Sequence, residues 1–338
     1  MKKQFELMSE VLLSYVKQLT SSPDDLVAIC SQFENVLRNC DQITYEEDGT
    51  AEAYALIHFL DRYHRFQLIF LELDKFNLIV EKQGEYPFEI LDVGTGPGPS
   101  MFALSDFFAS KNNQNFKIDY VERSNQFRNW LHQFTEYANY KVRNKHFWSV
   151  PYHHGTFHDF KDISFNQHLL FHDIRADSGY IVRRYTQRHR YDLIVFSNFL
   201  TEVSQVKEFG SELYDCMKNL RNNGLLIVVG AKATSEKYEK VYSEIDRILL
   251  KSKFSNWKFI ASCQKIDIDL SLKYRWDDEY GSMLKKVLGI FYDQAKELPD
   301  DVFSSKNKLD TSKVISESYN REISWQVTIY KKKARPRK

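Results

Sequence analysis

The stretch FEILDVGTGPGPSMFAL, residues 88–104, places Gly94, Gly96 and Gly98 at alternate positions directly after an apolar run. The chain has only twelve glycines in 338 residues, so this concentration needs a reason. An apolar run, a glycine turn and a helix beginning near Pro99 or Ser100 form a strand–loop–helix unit. Without Cβ atoms the turn can adopt positive φ, and its backbone can come close to a ligand. Ligands of open α/β sheets bind outside the carboxyl ends of the strands. The loop therefore reads as a cofactor cradle.

Downstream the rhythm repeats. FEILDV, FKIDYVE, HLLFHDI, YDLIVFS and GLLIVVG are short runs, mostly aliphatic on both faces, separated by longer helical or polar stretches. Strands covered by helices on both sides show this pattern, which predicts an α/β fold with a doubly wound, mostly parallel, Rossmann-like sheet. WKFIASCQK and WQVTIYKK complete the sheet, with a helical insertion at about 266–320 before the last strand. Within it, LKYRWDDEYGSMLKKVLGIFYDQ carries Trp276, Tyr280, Met283, Val287, Ile290 and Phe291 at helical spacing. That apolar face docks either over the carboxyl ends of the strands, or on the far side, or in a dimer contact.

Upstream, residues 1–84 read as a helical N-terminal cap on a domain spanning 85–338. Phe5, Met8, Leu12, Tyr15, Val16 and Leu19 recur at spacings of three and four. Ser22 is placed to cap a second helix, with Pro23 in its first position and Asp24 and Asp25 in its first turn. A third helix runs from about Ala51 to Val80 and is closed by Gly84 and Pro87. On it, Arg62, Tyr63 and Arg65 either close over the cofactor or pack against the sheet.

Composition narrows the partners. Lys and Arg total 47 against 46 Asp and Glu, a formal charge of +1, so no overall field draws the chain to nucleic acid or to an acidic membrane. Cys30, Cys40, Cys216 and Cys263 lack CxxC spacing, which argues against a zinc ribbon or a secreted disulfide framework and points to a reducing cytoplasm. Glu6 and Glu10 interrupt any signal core, and no apolar run is long enough to span a bilayer.

The spacing also sorts the cofactors. A dinucleotide fingerprint needs GxGxxG, but the third glycine comes one residue early and Pro99 takes its place. The phosphate loop GxxxxGK[ST] is absent too. Asp92-Val93-Gly94-Thr95-Gly96-Pro97-Gly98 instead resembles motif I, E/D-x-G-x-G-x-G, of the class I S-adenosylmethionine-dependent methyltransferases. The resemblance covers about residues 88–262 and the strand near 324–331. It implies that Gly94, Thr95, Gly96, Pro97 and Gly98 cradle the methionine part of S-adenosyl-L-methionine with Asp92 close by. It also implies that Glu122, after the second strand, takes both ribose hydroxyls, with Arg123 beside it. One carboxylate can accept two charge-assisted hydrogen bonds from a vicinal diol. Asp173 resembles the acid that receives the adenine amino group, Ile174 packs on the ring, and Ser197 and Asn198 face the methyl group. A narrower likeness, in AEAYALIHFLDRYHRFQLIFLEL, VERS and YDLIVFSNFLTEV, is to the methyltransferase-like family associated with mitochondrial small-ribosomal-subunit assembly. That family carries a cysteine-bound metal centre, and its cysteine cluster is missing here.

Several features admit more than one reading. His153, His154, His158, His168 and His172 crowd into twenty residues, as a metal site, as a lid supplying a general base, or as an ordinary polar loop. PYHHGTFHDF, with its Pro and Gly, reads as loop, and no metal is assigned. RRYTQRHR and the tail KKKARPRK either grip RNA phosphates or lie in solvent. The sulfonium methyl is already activated, so placement and exclusion of water dominate the chemistry. SNFL stands where an NPPY-type motif would hold a planar amine, and neither Cys216 nor Cys263 suits a cytosine-C5 nucleophile. An O or N acceptor on a small molecule, protein or RNA remains, with Glu202, His153 and His154 as candidate bases. The alternative is a cofactor-binding assembly factor, possibly ribosome-associated in the narrower likeness, without methyl transfer.

Overall fold

The computed structural model describes residues 2–39, 43, 45–79, 87–111, 116–142, 156–158, 191–197, 200–231, 236–251, 263–266, 272–275, 280–317 and 322–333. Three helices open the chain: α1 (Lys2–Thr20), α2 (Pro23–Asn39) and α3 (Thr50–Lys75). The alternating region follows as β1 (Phe88–Val93), α4 (Pro99–Ser110), β2 (Phe116–Val121), α5 (Asn125–Val142), β3 (Thr156–His158), β4 (Tyr191–Ser197), α6 (Val203–Glu208), α7 (Gly210–Asn219), β5 (Leu220–Ala231) and α8 (Glu236–Lys251). The chain closes with β6 (Cys263–Ile266), β7 (Leu272–Arg275), α9 (Tyr280–Ala295), α10 (Ser305–Glu317) and β8 (Glu322–Lys332).

The sheet runs β3-β2-β1-β4-β5-β8-β6, with β7 also on β8. The pairings from β3 through β5 are parallel, and β8 is antiparallel to β5, β6 and β7. The direction of winding reverses between β1 and β4, the topological switch point where doubly wound sheets bind their ligands.

Alternation along the strands builds two cores. Phe88 and Ile90, Leu193 and Val195, and Leu225 and Ile227 face one side, with residues of α1–α5 and α9. Leu91 and Val93, Ile194 and Phe196, and Leu226 and Val228 face the other, with α6–α8. The first core is aromatic: Phe59 of α3 meets Phe102 of α4 and Trp130 and Phe134 of α5 at ring-centroid distances of 5.3–5.7 Å. Such pairs add about 0.5–1.5 kcal/mol each beyond the area they bury.

Ser22 caps α2 as its sequence predicts, accepting from the Asp25 amide at 3.4 Å. The third helix ends earlier than expected, at Lys75. Asn77, at φ 52°, turns the chain while the Leu78 amide reaches back to the Leu73 carbonyl at 2.9 Å, an ending in which Asn replaces the usual Gly.

Two assignments change. The strand beside β2 is Thr156–His158, inside the stretch that reads as loop; Pro151 and Gly155 obscure a pairing only three residues long. HLLFHDI, expected as the third strand, lies outside the described residues. In the insertion, Leu272–Arg275 is not helical but pairs with Glu322–Trp325 of β8, and the helix starts at Tyr280. The apolar face of α9 is buried against the N-terminal helices, where Phe291 stacks on Phe33 of α2 at 4.9 Å; Phe303, in the connection to α10, meets the same ring edge-on at 6.2 Å. Insertion and N-terminal helices thus share one core.

Candidate active site

The glycine loop leaves β1 at its carboxyl end. Gly94, Gly96 and Gly98 have φ of 69°, 55° and 82°, the left-handed region that side chains disfavour. Two of them serve different ends. A Cβ on Gly98 would lie 2.4 Å from Leu131 Cδ1, so this glycine lets α4 pack on α5. A Cβ on Gly96 would meet nothing within 4 Å, so this one borders open space at the site. Pro99 then occupies the first position of α4, where its missing N–H costs nothing.

The loop's amides are turned inward. Gly94 and Thr95 donate to the Val121 carbonyl at 2.9 and 3.2 Å, and Gly98 donates to the Thr95 carbonyl at 3.0 Å. The Gly96 amide donates to Glu122 Oε2 at 2.7 Å. A phosphate cradle needs such amides aimed at the ligand, and these four are already committed.

Two buried carboxyls flank the loop. Asp92 is fully buried; its Oδ2 accepts from Thr95 Oγ1 at 2.5 Å and from Ser100 Oγ, while Oδ1 has no hydrogen-bond partner among the described residues. Burial pushes its pKa up to about 6 against the pull of the two hydroxyls. Glu122, immediately after β2, is 8% exposed and also accepts the Ser124 amide on Oε1 at 2.9 Å. Burial pushes its pKa up to about 7, backbone donors oppose the rise, and the charge of Asp92 adds to it. Among the described residues, no cation is among the groups that set it.

Of the other expected residues, Thr95 and Ser197 are buried, Ser197 at the carboxyl end of β4, and Arg123 is exposed. Glu202 is exposed at the start of α6, its amide held by Gln205 Oε1 at 3.1 Å. His158 stands on β3. His153, His154, Asp173, Ile174 and Asn198 lie outside the described residues. Tyr63 and Arg65 pack inward: the Tyr63 hydroxyl donates to Asp106, while Arg65 pairs with Asp61 and lies over the Trp325 ring. Arg62 sits 4.7 Å from the centroid of the Tyr54 ring. Among the described residues no three His, Cys, Asp or Glu side chains form a metal-binding group.

Sequence reading passes over Ser100 and Ser124. Ser124 carries the recognisable signal of a helix N-cap, a serine just before the periodic apolar residues of α5. Ser100, inside the first turn of α4, has none.

No protein-family model and no curated protein matches this chain. Among solved structures, a putative sarcosine dimethylglycine methyltransferase from Galdieria sulphuraria is 15% identical, with 88% of this chain and 91% of that one covered at a TM-score of 0.38. A putative O-methyltransferase from Klebsiella pneumoniae is 9% identical, with 83% and 90% covered at 0.34. The 4+2 cyclase SpnF is 10% identical, with 74% and 76% covered at 0.33.

Proposed function

We propose that this chain is an S-adenosylmethionine-dependent methyltransferase acting on an O or N acceptor. The observation that carries the proposal is the arrangement of Glu122 and the glycine loop at the switch point. A buried carboxylate is held there beside a loop whose amides are spent within the protein. The site offers an acceptor for a ribose diol but, with these loop amides spent, no cradle for a phosphate, which favours S-adenosylmethionine over NAD or ATP.

The residues fit the parts of that cofactor. Glu122 has acceptor capacity left for a vicinal diol. Asp92, sealed beneath the loop and bonded to Thr95 and Ser100, shapes the cradle from below. The space at Gly96 admits the ligand's backbone-hugging portion. When bound, the cofactor would supply a methyl group made electrophilic by its sulfonium. The chain's own part is then to orient the cofactor from below and to bring an acceptor into line from the ends of β4 and β5, with water excluded.

The narrower likeness nominates RNA or a ribosomal particle as acceptor, and a cytoplasmic location agrees with free cysteines at Cys30, Cys216 and Cys263. Among the described residues no helix is long and apolar enough to cross a membrane.

Calorimetry with S-adenosylmethionine, S-adenosylhomocysteine and NAD tests the binding claim; heat from NAD alone would overturn it. Labelled cofactor incubated with fractionated extract tests transfer. Label in metabolites, protein or RNA would name the acceptor class, and absence of transfer despite tight binding would favour the assembly-factor alternative.

A further inference from the structure

The residue that joins the helical cap to the cofactor acid is Ser124. It is 3% exposed and makes three different connections. Its amide donates to Glu122 Oε1 at 2.9 Å. Its hydroxyl oxygen accepts the Phe127 amide at 3.2 Å and so caps α5. The single hydroxyl proton goes to the backbone carbonyl of Tyr45, in the segment between α2 and α3. A serine hydroxyl has one proton and two lone pairs. Spending the proton on Tyr45 fixes the rotamer in which the oxygen faces the Phe127 amide.

The segment carrying Tyr45 is itself held. Tyr45 has φ 58°, which a bulky side chain rarely adopts unless its surroundings impose it. Its ring sits 5.3 Å from Tyr54 of α3 and 4.8 Å from Phe127 of α5. Gln126 Nε2 adds a bond to Asp48 Oδ1 at 2.7 Å. The 45–49 segment is thus strapped to the first turn of α5, immediately behind Glu122.

We propose that Ser124 is a positioning residue for the cofactor, and that the Tyr45–Gly49 strap of the helical cap sets the geometry of Glu122 through it. The inference rests on the cofactor assignment made above. It adds that the N-terminal helices tune cofactor affinity through a hydrogen-bond chain.

The test is a double-mutant cycle on the full chain, with S-adenosylhomocysteine binding read by calorimetry and folding checked by thermal melts. Ser124→Ala keeps the amide bond to Glu122 but removes the hydroxyl's bonds to the Tyr45 carbonyl and the Phe127 amide, and weakens binding about fivefold, the scale of one neutral hydrogen bond. In a Glu122→Gln background the same change costs less than about twofold, because the group it acts through has lost its charge. Ser124→Thr, which keeps the hydroxyl, restores binding to within about threefold of the parent. Gln126→Ala, on the surface, loosens the strap without touching the α5 cap and shows a smaller loss that also vanishes with Glu122→Gln; it decides the question if Ser124→Ala does not fold. Equal losses in both backgrounds would overturn the inference. Absence of binding by the parent chain would instead overturn the cofactor assignment.

Discussion

The amide of Gly96 and the carboxylate of Glu122, 26 residues apart in the chain, meet at 2.7 Å across the carboxyl ends of β1 and β2. The bond ties the cradle to the acid expected to read the ribose. The bond adds to those from the Gly94 and Thr95 amides to the Val121 carbonyl, so the carboxylate proposed to read the ribose is also one of the groups that hold the loop to β2.

Glu122→Ala should weaken S-adenosylhomocysteine binding by about 1.5–3 kcal/mol, the value of hydrogen bonds to a charged group. The fold should survive, since a buried carboxyl whose ionisation is disfavoured adds little stability at neutral pH. Calorimetry beside a thermal melt checks both, and an unchanged dissociation constant would remove Glu122 from the site.

Cofactor affinity should rise with pH. Glu122 is pushed up to about 7, and a diol binds its charged form, so binding should be about tenfold weaker at pH 6 than at pH 8. The stability of the free protein should move the other way. A carboxyl with a raised folded-state pKa contributes stability at low pH and loses it as pH rises through that pKa, here about 7 for Glu122 and about 6 for Asp92. Binding isotherms and melts across pH 5.5–8.5, repeated on Glu122→Gln, should show the affinity slope flattened by the substitution.

Alanine at the two glycines should separate ligand from fold. Gly96→Ala costs about 1–2 kcal/mol of backbone strain, and its methyl enters open space at the site, so the protein should fold while binding falls. Gly98→Ala adds a clash with Leu131 to the same strain and should cost about 2–4 kcal/mol of stability. Denaturant melts and calorimetry on both variants would contradict this assignment if Gly96→Ala bound normally.

The insertion should behave as core rather than as a detachable flap. Phe291 is fully buried against Phe33, so Phe291→Ala should lower stability by about 3–5 kcal/mol, the usual cost of emptying a buried phenyl site. Urea unfolding with a loss below about 1 kcal/mol would show that α9 is dispensable to the fold.

The strands β1, β2 and β4, the glycine turn and the place of Glu122 follow from sequence alone, because each rests on local chemistry. Aliphatic runs, missing Cβ atoms and an acid at a strand end all act within a few residues. Tertiary structure decided what depends on partners distant in the chain. Periodicity shows that Phe291 is buried, but only packing reveals Phe33 as its neighbour. β3 is a described run of three residues identified by its pairing with Asp119–Val121 of β2, and a run that short carries no periodic signal. The hydroxyl of Ser124 reaches the carbonyl of Tyr45 across 79 positions, a contact no local pattern encodes. The raised pKa values of Asp92 and Glu122 belong to the same class: an acid's identity is written in the sequence, whereas its desolvation is set by everything that closes around it.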